Sequence, residues 1–276
     1  MNARKPFSFG KNWQRFLKSF DEERVRSAER SLTEFLGVRD LRGLSFIDIG
    51  CGSGLFSYAA YTLGAARIVS VDVDPFSVHC CLFLREKAGN PPHWEVREGS
   101  VLDDIPSSWR GTFDIVYSWG VLHHTGAMWR ALGNAGMCVA EGGYLYLALY
   151  NKKDGLYGSE FWRGVKRLYN RMPRAGKYLM DLSYMGCFMA SRLATARNPL
   201  KEIRGYTSHR GMSWRIDVSD WLGGLPYEYA TVEEVCENIR MRFPDFELVN
   251  LKRDKSIGNN WFLFRKGPAW KLRGRV

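Results

Sequence analysis

The chain has 276 residues, of which 45% are hydrophobic and 25% are charged, and these proportions exclude a disordered or fibrous protein. No apolar stretch approaches the roughly 20 residues of a transmembrane helix. The formal net charge is +11, and residues 151–215 supply most of it, with fourteen Lys and Arg against four Asp and Glu. Such a segment attracts nucleic acid, anionic lipid or a phosphorylated substrate, or is a solvated helical surface.

The cellular compartment is predicted from the N-terminus and the cysteines. The basic start of the chain is not followed by the apolar segment of a secretory signal. The cysteines form neither a CxxC pair nor a regular framework, which is typical of reduced thiols in a chain of this length. They are Cys51, Cys80, Cys81, Cys138, Cys187 and Cys236. We therefore expect a cytoplasmic protein.

Helices and strands alternate through the first 150 residues. Apolar residues at three- and four-residue spacing predict a helix within residues 11–36, and Gly37 is placed to end it. Short, continuously apolar runs then predict strands that alternate with helices, an order typical of parallel βαβ units. The predicted strands are 44–49, 67–72, 93–97, 113–118 and 143–149, and the predicted helices are 55–63, 75–87 and 126–139.

The C-terminal part completes the predicted sheet. Residues 232–242 predict a helix, and 246–251 and 260–265 predict two closing strands. The fold class is therefore α/β, with a doubly wound, mostly parallel Rossmann-like sheet of seven strands and an antiparallel last strand. The segment before this helix is far longer than an ordinary connection. It contains a basic amphipathic helix at 161–169 and a nearly uncharged helix at 178–193.

Four regions follow from this pattern. They are an N-terminal helical cap (1–37), a ligand-binding Rossmann-like core (38–150), a basic helical lid insertion (151–225), and a C-terminal helix with the closing strands (226–276). Insertions at the carboxyl end of a doubly wound sheet lie beside the ligand crevice, which favours the lid. A helix packed on the core, or a contact with an apolar partner or membrane surface, is the alternative.

The glycine loop after the first strand carries the first chemistry. Residues 48–54 are Asp-Ile-Gly-Cys-Gly-Ser-Gly, and the three glycines permit backbone to approach a ligand closely. Dinucleotide sites use similar glycines with an acid about twenty residues on, a spacing that Asp72 meets. Asp48, however, would repel a pyrophosphate at the helix N-terminus. Its charge favours the sulfonium and ammonium groups of S-adenosylmethionine instead.

Three further segments complete the predicted cofactor site. Asp72 is placed to accept hydrogen bonds from both ribose hydroxyls, with Asp74 as its rival or as the cap of the next helix. The loop at 99–103 follows the third strand, where adenine is expected, and Asp103 can accept from the adenine amine; an ordinary connecting loop is the alternative. The predicted cofactor-binding residues are Trp13, Asp48, Gly50, Cys51, Gly52, Ser53, Gly54, Asp72, Val73, Ser100, Val101, Leu102, Ser118, Trp119 and Gly120.

Two adjacent histidines follow the fourth strand. An imidazole that titrates near neutrality suits a general base that accepts a proton from an acceptor hydroxyl or amine. His124 is the first choice and His123 the second, while a structural histidine is the alternative. No metal is predicted, because sequence neighbours rarely bind one ion and no third ligand is evident. Tyr150 completes the predicted catalytic set, and the predicted substrate-binding residues are Asn151, Arg210, Ser213 and Trp214.

In these motifs the chain resembles the class I S-adenosylmethionine-dependent methyltransferases. Residues 46–54 resemble the first motif of that family, Val71-Asp72 the second, 98–103 the third and 114–124 the fourth. The resemblance covers about residues 44–150. It implies a Rossmann-like fold, S-adenosylmethionine as cofactor, and S-adenosylhomocysteine as product.

The flanking segments are similar to one branch of the family. Residues 9–13, which include Trp13, resemble its N-terminal motif, and 162–169 and 210–228 resemble its insertion. Ser100 departs from the more usual Asp after the third-motif glycine, which weakens a side-chain contact there. The branch implies methyl transfer to a small molecule, a sugar or an anionic metabolite.

The predicted reaction is an in-line displacement under the helical lid. It moves a methyl group to an oxygen or nitrogen, with carbon as a further option, of a small-molecule acceptor. The basic segment suggests an RNA-modifying methyltransferase as the first alternative, although no RNA-binding module is recognisable. A nicotinamide-dependent oxidoreductase, disfavoured by Asp48, and a non-catalytic protein that retains the cofactor site are the others. Nothing in the sequence predicts the oligomeric state.

Overall fold

The computed structural model describes residues 21–195, 198–201, 203 and 214–267. Within them, residues 154–227 form one compact unit, and residues 21–153 with 228–267 form a second, larger one. The predictions made for Trp13, Arg210 and Ser213 lie outside the described residues.

The larger unit contains a seven-stranded sheet in the described residues. Its spatial order is β3-β2-β1-β4-β5-β7-β6; β1 to β5 are parallel, and β7 is antiparallel to both β5 and β6. This sheet confirms the predicted α/β class and the doubly wound order with one antiparallel strand. The strands are β1 (Ser45–Ile49), β2 (Arg67–Asp72), β3 (Trp94–Glu98), β4 (Phe113–Trp119), β5 (Val139–Tyr150), β6 (Phe246–Lys252) and β7 (Asn259–Lys266).

The helices begin and end at recognisable caps. The Asp21 carboxylate accepts a hydrogen bond from Arg24 N at 2.9 Å at the start of the first helix, which ends at Gly37 with φ 69°. Thr231 and Glu234 form a reciprocal capping box at the start of the last. The helices are α1 (Glu22–Leu36), α2 (Leu55–Thr62), α3 (Pro75–Lys87), α4 (Met128–Met137), α5 (Ser159–Arg171), α6 (Arg174–Ala194), α7 (Trp214–Gly223) and α8 (Val232–Arg242).

Apolar side chains cover both faces of the sheet, because successive residues of a strand point to opposite sides. In β5, Leu145 and Leu147 belong to the cluster that includes buried residues of α4 and α8. The neighbouring Tyr144 and Tyr146 belong to the cluster that includes α1 and α2. Two covered faces leave the carboxyl ends of the parallel strands as the place for a ligand site.

The boundary between α4 and β5 differs from the sequence prediction. Strand β5 begins at Val139 rather than at residue 143, and α4 accordingly ends at Met137. The strand continues through the glycine pair at 142–143, with a register shift against β4. A Cβ on Gly143 would lie 3.0 Å from Phe113 O, so only glycine allows this close approach.

The smaller unit contains α5, α6 and α7, and α7 was not predicted from the sequence. Lys166 of α5 is fully buried, and its Nζ donates to Trp221 O and lies 3.9 Å from the Trp221 ring centroid. Asn170 Nδ2 donates to Gly223 O at 2.8 Å. These donors satisfy the last carbonyls of α7 and join the two helices. Burial lowers the pKa of Lys166 to about 7.

Among the described residues, no helix combines the length and the apolar character that a membrane span requires.

Candidate functional site

The glycine loop between β1 and α2 is held by three neighbouring segments. Gly50 N and Cys51 N both donate to Val71 O, at 2.7 and 3.0 Å. A Cβ on Gly50 would lie 2.4 Å from the Val121 methyl groups, and one on Gly54 would lie 2.8 Å from the Cys81 backbone. Both glycines also have positive φ, so larger residues would have to displace packed neighbours as well as adopt a strained backbone.

The Asp72 carboxylate closes this loop from the end of β2. Its Oδ2 accepts from Gly52 N and its Oδ1 accepts from Asp74 N, both at 2.9 Å. Burial is the main cause that raises the pKa of Asp72. Asp74 has a different task, since its carboxylate accepts from Phe76 N at 2.9 Å and caps α3. Asp72 therefore lies beside the glycine loop, whereas Asp74 caps α3.

Asp48 lies beneath the loop at the end of a chain of buried hydrogen bonds. Trp94 Nε1 donates to Ser70 Oγ at 2.9 Å, Ser70 Oγ donates to Ser57 Oγ at 2.7 Å, and Ser57 Oγ donates to Asp48 Oδ2 at 2.6 Å. All four side chains are buried. Sequence reasoning missed the three donors, because no motif marks them and they come from β3, β2 and α2.

Burial raises the pKa of Asp48 to about 7; the Ser57 hydrogen bond opposes this rise, and the charge of Asp72 adds to it. Two carboxyl groups therefore lie near one loop, and the charge of Asp72 makes ionisation of Asp48 more costly. A positively charged ligand at this loop would relieve that cost.

The loop after β3 is ordered by its own side chains. Asp103 Oδ2 accepts from Ser100 N at 3.0 Å, and Ser100 Oγ accepts from Leu102 N at 3.1 Å. Asn134 of α4, which sequence reasoning also missed, donates from Nδ2 to Val101 O at 2.7 Å and to Asp103 O at 3.2 Å. The side chains of Ser100 and Asp103, which the sequence predicts near the adenine, thus hold the loop itself. Its apolar residues, Val101 and Leu102, pack against the core cluster.

The loop after β4 brings the three predicted catalytic residues together. His123 is fully buried, its Nδ1 accepts from Tyr150 N at 3.3 Å, and its ring centroid lies 3.9 Å from that of Tyr150. His124 is partly exposed, with its ring 4.5 Å from His123 and 5.4 Å from Tyr150. Because His123 is buried, His124 is the histidine of this pair that an acceptor can reach.

Other neighbours secure the same loop. Ser118 Oγ donates to Ile49 O at 2.9 Å, and the Trp119 ring packs edge-on against Trp261 at 5.8 Å. Glu228 N donates to His123 O at 2.9 Å, and the Glu228 carboxylate accepts from Met128 N at 3.1 Å. Burial raises the pKa of Glu228. This supporting carboxylate belongs to the 210–228 segment, but its position gave no signal of the contact.

Two of the predicted substrate residues, Asn151 and Trp214, are described, and each makes its contacts within its own unit. Asn151 Nδ2 donates to Ser256 O at 2.8 Å, and its Oδ1 accepts from Asn260 Nδ2 at 3.0 Å, so its side chain holds the turn before β7. Trp214 packs on Phe188 of the smaller unit, with ring centroids 5.2 Å apart. A substrate role for either residue stays a prediction.

Comparisons with known proteins agree with this geometry. A family model described as "Methyltransferase domain" matches residues 20–217. The tRNA U34 carboxymethyltransferase of Pseudomonas aeruginosa (strain LESB58) is 36% identical over 110 residues, which are 39% of this chain and 33% of that protein. That of Methylococcus capsulatus (strain ATCC 33009 / NCIMB 11132 / Bath) is 32% identical over 110 residues, 40% and 33% of the two. The chain thus spans about a third of the length of these relatives.

Solved structures show the same fold. The magnesium protoporphyrin IX methyltransferase (ChlM) from Synechocystis PCC 6803 with bound SAH has a TM-score of 0.53 at 12% identity, covering 93% of this chain and 94% of that chain. An S-adenosylmethionine-dependent methyltransferase from Mesorhizobium loti has a TM-score of 0.52 at 14% identity, covering 88% and 100%. At these identities the likeness concerns the fold alone.

We expect Asp48→Asn to remove a pH dependence of stability. The folded chain holds the proton of Asp48 up to about pH 7, because burial raises its pKa, whereas the unfolded chain releases it near pH 4. The stability due to the neutral carboxyl is complete below about pH 4 and is lost as the pH rises through 7. A tenfold change in proton affinity corresponds to about 1.4 kcal/mol. Between about pH 4 and 7 the free energy of unfolding of the wild type therefore falls by up to about 4 kcal/mol relative to that of Asp48→Asn.

Urea denaturation of the ligand-free proteins across this pH range measures the difference. The asparagine oxygen can still accept from Ser57, so the variant keeps the hydrogen-bond chain. Asp104→Asn, an exposed change in the loop after β3, is the matched control and is expected to follow the wild type. A difference between wild type and Asp48→Asn that stays constant with pH would contradict a neutral buried carboxyl.

Proposed function

We propose that this chain, which belongs to the class I S-adenosylmethionine-dependent methyltransferases, methylates an oxygen or nitrogen of a small-molecule acceptor. The observation that carries the cofactor part of this proposal is a pair of carboxyls, the buried Asp48 and the partly buried Asp72, at a glycine loop that lacks cations. Residues 43–66 contain no Lys or Arg. A phosphate-bearing cofactor would be repelled here, whereas a cationic one is stabilised.

The residues around the loop suit S-adenosylmethionine, which supplies a methyl group already activated on a sulfonium sulfur. Asp72 would accept the ribose hydroxyls, and Asp48 would stabilise the cationic methionine end. The other predicted contacts are Gly50, Cys51, Gly52, Ser53, Gly54, Val73, Ser100, Val101, Leu102, Ser118, Trp119 and Gly120. Since the donor is activated, the chain mainly has to align the acceptor with it and exclude water.

His124 is the proposed general base. When the acceptor oxygen or nitrogen takes the methyl group, the methyl–sulfur bond would break to leave S-adenosylhomocysteine, and the acceptor's proton would pass to the partly exposed imidazole of His124. His123 would act as a positioning residue, because its Nδ1 is already engaged by Tyr150 N at 3.3 Å. Tyr150 packs against both imidazole rings and would limit their movement. The lid role of residues 151–225 stays a prediction.

RNA methylation is the second candidate. It is favoured by the similarity to tRNA U34 carboxymethyltransferases and by the excess of basic residues in 151–215. The chain spans only about a third of the length of those relatives, so their substrate is weak evidence for the substrate of this chain. We therefore place the small-molecule acceptor first.

The acceptor class is tested with radiolabelled methyl donor and a cell extract. We expect label to enter the small-molecule fraction and to be unaffected when the extract is first treated with ribonuclease. Heat-inactivated protein is the control for background transfer. Loss of labelling after ribonuclease, with label recovered in the RNA fraction of the untreated extract, would overturn the small-molecule proposal in favour of the RNA candidate.

Asp72→Ala is expected to weaken S-adenosylmethionine binding by about a hundredfold, because hydrogen bonds to an ionised group contribute about 1.5–3 kcal/mol each. Titration calorimetry measures the affinity. Asp74→Ala is the matched control: it removes the α3 cap and lowers stability by about 1 kcal/mol, but it is expected to keep the affinity. Equal losses in the two variants, or a larger loss in Asp74→Ala, would refute the assignment of the ribose to Asp72.

His124→Ala is expected to lower kcat by about a hundredfold and to leave the S-adenosylmethionine affinity unchanged, as for loss of a general base. The decline of kcat at acidic pH, caused by protonation of the base, is expected to disappear as well. His123→Ala is the comparison, with reduced thermal stability because a buried ring and its hydrogen bond are lost. If His124→Ala retains both kcat and the pH profile of the wild type, His124 is structural.

A further inference from the structure

Helix α6 of the smaller unit has one side that is both exposed and uncharged. Its large apolar side chains are Tyr178, Leu179, Leu182, Met189 and Leu193, which are 50, 62, 44, 37 and 64% exposed. At about 100° of rotation per residue, all five fall within an arc of about 100° and so share one side of the helix. We call these five residues the α6 face. Small exposed residues lie beside them: Ala175, Ser183, Gly186 and Ala190.

The opposite side of α6 already packs within the smaller unit. The Tyr184 ring contacts Trp162 with centroids 5.9 Å apart, and the Phe188 ring contacts Trp214. Asp181 accepts from Ser219 Oγ at 3.1 Å, and Lys177 lies over the ring of Tyr169. These contacts use the inner side of the helix only. Packing inside the unit therefore does not account for the apolar character of the α6 face.

Basic residues border the α6 face. Arg174 and Arg192 are eighteen residues apart, which is five turns, so both lie along the same edge of the helix and about 27 Å from each other. Arg171, the last residue of α5, and Arg174 are exposed, whereas Arg192 is partly exposed and its guanidinium lies 4.8 Å from the Phe188 ring centroid. The one acidic residue of the helix, Asp181, is engaged with Ser219 on the inner side. The face thus combines an uncharged, apolar centre with a positive border.

We propose that the α6 face binds an anionic lipid surface. A helix with an apolar side and arginines at its edge lies in the plane of a membrane, with its apolar side chains among the acyl chains and its cations at the lipid phosphates. Nucleic acid would use the arginines but not the apolar centre. A second copy of the chain would cover the centre but would bring two positive borders together. The charge pattern therefore favours anionic lipid.

Vesicle sedimentation with the full chain tests the proposal. We expect the wild type to sediment with phosphatidylglycerol–phosphatidylcholine vesicles, far less with pure phosphatidylcholine, and less at high salt, where the electrostatic attraction is screened. Leu179→Glu with Leu182→Glu is expected to lower binding at least about tenfold. Arg174→Gln with Arg192→Gln is expected to lower binding to the anionic vesicles specifically.

Met241→Glu is the matched control, because Met241 is 69% exposed on α8 in the other unit; it is expected to bind vesicles as the wild type does. All variants are expected to keep the S-adenosylmethionine affinity and the circular dichroism of the wild type, which shows that they are folded. The proposal is overturned if the wild type ignores anionic vesicles or if the leucine variant binds them equally. It is also overturned if the wild type binds no lipid and instead forms a dimer that the leucine variant makes monomeric. Binding of RNA that depends on the arginines alone, without binding of lipid, overturns it as well.

Discussion

The buried carboxyl of Asp48 and the hydrogen-bond chain that ends on it hold together the elements that form the cofactor loop. The hydrogen bonds connect four elements at the level where the loop begins: β3 through Trp94, β2 through Ser70, α2 through Ser57 and β1 through Asp48. A buried polar group without partners would cost stability. These side chains therefore have one arrangement that satisfies all of them, and this arrangement sets the distance between β1 and α2 across which the glycine loop is stretched.

The second carboxyl acts on the same loop from above. Asp72 accepts from Gly52 N, and Val71 O accepts from Gly50 N, so the end of β2 determines the path of the loop after β1. The exclusion of side chains at Gly50 and Gly54 has the same origin, because Val121 and Cys81 already fill that space. Burial raises the pKa of both carboxyls, and the charge of Asp72 adds to the rise at Asp48. The loop is thus more selective for ligand charge than its glycines alone would be.

The parts predicted from the sequence are those with a local signal. The alternation of strands and helices predicted the fold class and the seven-stranded, mostly parallel sheet, and the acids at 48 and 72 indicated the cationic cofactor. The parts that were missed depend on contacts between distant residues. Asn134 and Glu228 hold their loops through backbone groups 33 and 100 residues away, respectively, and no periodicity reports such a pair. Helix α7 was missed because its polar and apolar residues follow no clear helical stripe.

The smaller unit follows a different balance of forces. Its core is a compact aromatic cluster in which Lys166 is buried against Trp221 and Tyr227, so the unit is held by few, large side chains. This cluster needs only the inner side of α6, and the outer side gains nothing from folding. An extended apolar surface in water marks an interaction site in most proteins that have one. Because arginines, not acids, border this surface, the partner that we propose for it is both apolar and negatively charged, as a lipid surface is.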